Sequence, residues 1–155
     1  MNAVQIHLAL NHAPLFFSFF GGLLLAWSMI RQQLSLQKIA LYILVAGAIL
    51  TIPVYFSGEN AEEIAESLAG INEQAMDTHE GLAKASLLAA GLTGILALAA
   101  LFMKNSKPLM MVTVLAAFTT LVIVGLTAHA GGKIRHTELG TVVAGEQKSE
   151  RHDDD

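Results

Sequence analysis

Residues 85–103 read ASLLAAGLTGILALAALFM, nineteen in a row without a charge. As a helix this stretch is about 28 Å long, close to the roughly 30 Å hydrocarbon core of a bilayer. Working outward, residues 1–30 and 108–132 also lack Asp, Glu, Lys and Arg, and so does 39–58 between Lys38 and Glu59. The expected spans are 9–30, 39–57, 82–103 and 108–129, each too apolar all round for a surface helix. The fold class that follows is all-α: a four-helix transmembrane bundle over residues 1–139, with a polar tail from 140 to 155.

The composition of the 155-residue chain agrees. Hydrophobic residues make up 54% and charged residues 14%, against about 25% charged in an average soluble domain, and mean hydropathy is +0.55. A soluble enzyme is excluded. The chain has no cysteine, which excludes a disulfide scaffold, c-type haem attachment and thiolate-bound iron–sulfur clusters. A net charge of −4 gives no nucleic-acid footprint. The N-terminus lacks the basic region of a cleavable signal peptide, so Met1 is expected to be retained.

Loop charges set the orientation. Arg31 and Lys38 flank the first short turn, and Lys104 and Lys107 the second, with no acid in either. Glu59, Glu62, Glu63, Glu66, Glu73, Asp77 and Glu80 crowd the long middle loop. The positive-inside rule then predicts a bacterial cytoplasmic-membrane protein with both short turns in the cytoplasm and both termini outside. Within the middle loop, Ala61, Ile64, Ala65 and Leu68 fall at helical spacing, which predicts a short amphipathic helix at the outer interface. Asp77 and Glu80 resemble a capping box for the third span. No internal repeat is convincing.

Five of the six histidines mark one side of this topology. His7 and His12 open the first span, His79 opens the third, and His129 and His136 close the fourth; all lie at the predicted outer end. An interfacial histidine also simply hydrogen-bonds headgroups or a loop carbonyl, but ionisable groups in an apolar bundle by default mark a functional path. His7 and His12 are about 140° apart around a helix, so one faces the core and the other an edge. His129 and His136 share a face if their helix continues, unless Gly131–Gly132 breaks it. Two neutral imidazoles from facing helices suit a b-type haem, with Arg135 as a bidentate partner for a propionate. Phe16, Phe17, Phe19 and Phe20 could wall such a pocket or face lipid, and Gly21, Gly22, Gly91 and Gly94 could admit a flat ring or serve close helix packing. A non-haem metal held by His12 and His79 with Glu59 or Glu80 is the alternative; Glu80 equally suits an ion pair with Lys84 one turn on. No phosphate loop, nucleophile elbow or HExxH motif is present, and no catalytic turnover by this chain alone is expected.

The opening His7-Leu8-Ala9-Leu10-Asn11-His12-Ala13-Pro14, the leading His79 and the closing Gly131-Gly132-Lys133-Ile134-Arg135-His136 resemble a family of small four-helix bacterial membrane proteins without an established role. Its members open His-Pro-x-x-Val-His-Phe-Pro and close with a Gly-Gly-x-Leu-Val-Tyr-x-His-Gly type of motif, and the similarity spans residues 5–140. Leu8 stands for the motif's Pro, Ala13 for its Phe and Thr137 for its final Gly, and His129 has no counterpart. The resemblance implies a b-type haem or a place in a respiratory electron-transfer assembly, with His7, His12, His79 and His136 carried over. The expected function is a cytochrome-b-like subunit with haem near the outer face, His12 and His79 as the inner pair and His136 as substitute. Its partners would be the lipid bilayer, other membrane subunits and a soluble electron carrier outside, with no nucleic acid. The other readings are a cofactor-free accessory subunit of a larger respiratory or photosynthetic complex, and a membrane metal-binding protein.

Overall fold

The computed structural model describes residues 3–66, 73–103 and 106–135. Five helices follow in order: α1 (Ala3–Leu10), α2 (Ala13–Ile30), α3 (Leu34–Glu66), α4 (Glu73–Phe102) and α5 (Lys107–Arg135). Helix α1 packs on α3, while α2, α3, α4 and α5 close a ring in which each touches its two chain neighbours and α5 returns to α2. The result is a four-helix bundle. Four segments are long and apolar enough to cross a membrane: His7–Ile30, Leu34–Glu62, Gln74–Phe102 and Lys107–Ile134. Their outward faces carry exposed Ile30, Leu88, Ile95, Phe102 and Leu115, a surface compatible with lipid.

Local chemistry explains the punctuation. The first span is broken at residues 11–12 because Pro14 has no N–H to return to the Leu10 carbonyl and its ring crowds that carbonyl. Asn11 N–H donates to His7 O at 2.8 Å to close α1, and Phe16 N–H to His12 O at 3.1 Å to open α2. At the end of α2, Gln32 adopts a left-handed conformation with φ 53°. Gln33 N–H returns to Ser28 O at 3.0 Å, the long-range bond of a Schellman cap. Pro108 falls in the first turn of α5, where its missing N–H is not needed.

Three helices are longer than expected. Helix α3 runs through Ser57–Gly58 to Glu66, so the helical residues 59–66 are its continuation and not a separate interfacial helix. Helix α5 likewise runs through Gly131–Gly132. Glycine does not stop either helix because it costs a helix interior only about 1 kcal/mol relative to alanine, and at Gly58 and Gly131 the helix packs against His7 and His79. Helix α4 starts at Glu73, which places Asp77 inside the helix and removes its capping-box role. Leu68 and the tail beyond Arg135 lie outside the described residues.

The structure also contains a repeat that residue identities hide. Pro14, Ser18, Gly21, Gly22, Leu25 and Ser28 are the buried residues of α2. Seventy-two positions on, Ser86, Ala90, Thr93, Gly94, Ala97 and Ala100 are buried in α4. Gln37, Ala40, Leu44, Gly47, Thr51 and Ser57 of α3 recur, seventy-three positions on, as buried Met110, Thr113, Ala117, Thr120, Val124 and Ala130 of α5. The helix contacts map onto themselves under this shift. The two hairpins are therefore related by an approximate two-fold along the bundle, the parallel kind of membrane repeat.

The half near the short turns is packed by Leu25, Ala40, Leu41, Leu44, Ala97, Ala100, Met110 and Ala117. Close approach of the helices depends on small residues: a Cβ on Gly94 would lie 2.5 Å from that of Ala48, and one on Gly47 2.6 Å from that of Phe17. Towards the other end the interior turns polar. Thr93 and Thr120 hydroxyls bond at 2.9 Å, and Ser86 and Thr127 hydroxyls at 2.8 Å.

Candidate functional site

At the polar end the two hairpins each present one imidazole to the centre. His7, half-buried on α1, donates Nδ1–H to the Val54 carbonyl of α3 at 3.1 Å, with Ser57 Oγ 3.4 Å from the same nitrogen. Ser57 Oγ–H itself donates to Val54 O at 2.9 Å. His79, half-buried on α4, donates Nδ1–H to the Thr127 carbonyl of α5 at 2.9 Å. The ring centroids are 6.5 Å apart and the planes 88° to each other.

These bonds set the tautomers. A carbonyl oxygen only accepts, so each Nδ1 carries the proton and each neutral ring keeps its lone pair on Nε2. Tying the remote ring nitrogen to a backbone carbonyl is how proteins orient a metal-ligating histidine. The ledges beneath the rings are glycines: a Cβ at Gly58 would lie 3.1 Å from His7 Cε1, and one at Gly131 3.0 Å from His79 Cε1. Four residues beyond His7, in the break between α1 and α2, Asn11 Oδ1 is buried without a hydrogen-bond partner among the described residues.

The structure distributes the expected site residues differently from the expected pairing. His7, not His12, stands opposite His79, whereas His12 is exposed at the break between α1 and α2. The reason is the break itself: His12 lies beyond the end of α1, as the N-cap residue of α2, and its side chain is exposed there. His129 is exposed. His136 and the side chain of Arg135 lie outside the described residues. Glu59 is exposed and accepts the Tyr55 hydroxyl at 3.1 Å, and Glu80 pairs with Lys84 on the surface, so neither carboxylate is committed to the histidines. Among the described residues, no group of three His, Asp or Glu is arranged to hold a metal ion.

The aromatic and glycine expectations divide in the same way. Phe16, Phe19 and Phe20 are exposed on the outside of α2, while Phe17 packs over Gly47. Gly21 packs on Leu44 and Gly94 on Ala48, so they serve helix contact; Gly91 faces open space. The glycines at the histidines are instead Gly58 and Gly131. A signal for them exists: Gly58 follows His7 by 51 residues and Gly131 follows His79 by 52.

Comparison with known proteins adds no template. No family model matches the chain, and neither a curated protein nor a solved structure matches it.

Proposed function

We propose that the chain is a b-type cytochrome-like electron-transfer subunit of a bacterial cytoplasmic membrane, with one haem b held by His7 and His79 near the outer face. The observation that carries this reading is the facing pair of half-buried imidazoles, each fixed through Nδ1 and keeping Nε2 as a lone-pair donor. Two imidazoles that share one metal ion through nitrogens about 2.0–2.1 Å from it have centroids roughly 6 Å apart, and the observed separation is 6.5 Å. Two neutral imidazoles from facing hairpins are the ligand chemistry a b-type haem would take.

Bound haem would supply one-electron chemistry at the iron. The protein's part would be to hold the group between His7 and His79, whose neutral imidazoles are fixed in their planes through Nδ1. The aliphatic core around Leu25, Leu41 and Leu44 keeps the opposite half of the bundle dry. Arg31, Lys38 and Lys107 at the short-turn end support a cytoplasmic location for that end. The acidic opposite end, with Glu59, Asp77 and Glu80, would then meet a basic soluble carrier outside, and the apolar flanks would meet lipid and neighbouring membrane subunits. The resemblance of the opening and closing motifs points the same way.

The test is a reduced-minus-oxidised visible spectrum of protein purified in mild detergent after expression with ample haem, with a pyridine haemochrome assay for stoichiometry. We expect b-type bands at one haem per chain. His7→Ala and His79→Ala should each lose the haem, while His12→Ala and His129→Ala keep it. A colourless wild type, or an unchanged spectrum and full haem content in His7→Ala and His79→Ala, overturns the reading.

A further inference from the structure

His7 and His79 belong to different halves of the chain, yet each is held by the same two-part device. One part is the acceptor carbonyl, Val54 O for His7 and Thr127 O for His79. The other is a glycine four residues later, Gly58 and Gly131, against which the ring lies. In an α-helix the carbonyl of residue i already takes the amide of residue i+4, so the imidazole must reach the second lone pair of an occupied oxygen. A helical side chain leans back over the turn that precedes it. Any Cβ at position i+4 would therefore project over the carbonyl the ring must reach. A methyl at 58 would lie 3.1 Å from Cε1 and 3.3 Å from Nδ1 of His7, and one at 131 would lie 3.0 Å and 3.1 Å from the same atoms of His79. Gly132, next along the chain, and Gly125 have nothing within 4 Å of the corresponding position. The glycines are thus not interchangeable, and the two at the rings are equivalent under the approximate two-fold of the bundle.

We propose that Gly58 and Gly131 are the positioning residues of the site: each forms a seat on which an imidazole lies against a helix backbone, its Nδ1 on the carbonyl one turn back and its Nε2 left for the shared ligand. The identity of that ligand as haem rests on the function proposed above; the seats themselves do not. The carbonyl and the glycine are common to both seats, while at the His7 seat alone a serine, Ser57, also donates to the acceptor carbonyl, Ala130 standing at the equivalent place beside His79.

The test uses the full chain in mild detergent and two readouts. The first is nitrogen-15 NMR of histidine-labelled protein, with the His7 and His79 signals assigned from His7→Ala and His79→Ala, which reports which ring nitrogen carries the proton. The second is haem retention. Gly58→Ala should move the His7 signals, and Gly131→Ala those of His79. Each should weaken haem retention by about tenfold or more, the scale seen when a ligand's orienting partner is lost. Gly132→Ala should change neither readout. Alanine favours the helix over glycine, so a loss in the seat variants is not a helix defect, and failure of one variant to fold leaves the other to decide. Movement of the His7 and His79 signals in their seat variants, with a wild type that takes up no haem, supports the seats and rejects the haem. Haem binding with both seat variants indistinguishable from Gly132→Ala overturns the seats and leaves the haem reading standing.

Discussion

Gly94 on α4 meets Ala48 on α3 so closely that a methyl at 94 would lie 2.5 Å from the Ala48 Cβ. Saturated carbons are at their best near 3.5–4.0 Å, so Gly94→Ala must push α3 and α4 apart by roughly 1 Å. Overpacking of this kind costs about 1–3 kcal/mol, and the better helix propensity of alanine offsets about 1 kcal/mol of that. The expected net loss is then at most about 2 kcal/mol. Ala48→Gly removes the opposing methyl, so the pair Ala48→Gly with Gly94→Ala moves the same methyl from one helix to the other. The double variant should recover most of the loss, with a coupling of about 1–3 kcal/mol between the two sites. The assay is equilibrium unfolding of the four proteins by SDS titration from mild detergent, followed by far-ultraviolet circular dichroism. A coupling near zero between the two sites refutes the close crossing of α3 and α4.

Two further outcomes follow from the same packing. Thr93→Val and Thr120→Val each remove the 2.9 Å interhelical hydroxyl bond; each should cost about 0.6 kcal/mol and no more than about 1.7 kcal/mol in the same titration, and the double variant should cost less than the sum. For orientation, the chain has no native cysteine, so single cysteines report cleanly. Asp77→Cys should react with a membrane-impermeant maleimide on intact cells, whereas Gln32→Cys and Ser106→Cys should react only after permeabilisation, and the opposite pattern would reverse the assigned topology.

The sequence was misleading where local rules met the membrane. Pro14 lay in plain view, but a charge-free run suggested one continuous span over residues 9–30; the lost N–H at 14 splits it into α1 and α2. Gly58 and the Gly131–Gly132 pair read as helix ends by soluble-protein habits. One glycine costs a helix only about 1 kcal/mol, which packing outweighs, and α3 and α5 continue through them. The repeat escaped notice because buried positions in the two hairpins share size and environment more than identity: Leu25 answers to Ala97, and Gln37 to Met110. Only a burial pattern exposes such a correspondence.

Taken alone, the amino-acid sequence determines four apolar crossings and a polar end that gathers the histidines, because hydropathy and charge act over a few residues and need no partner. It does not decide between His7 and His12, because the break at residues 11–12 takes the two out of one helical register. Which of the two faces His79 was decided by tertiary structure. The rotation of α1 is set by its packing on α3, where the Val54 carbonyl accepts Nδ1–H and Gly58 leaves room for the ring. That acceptor and that space lie 47 and 51 residues from the histidine they hold, and only folding brings them to it.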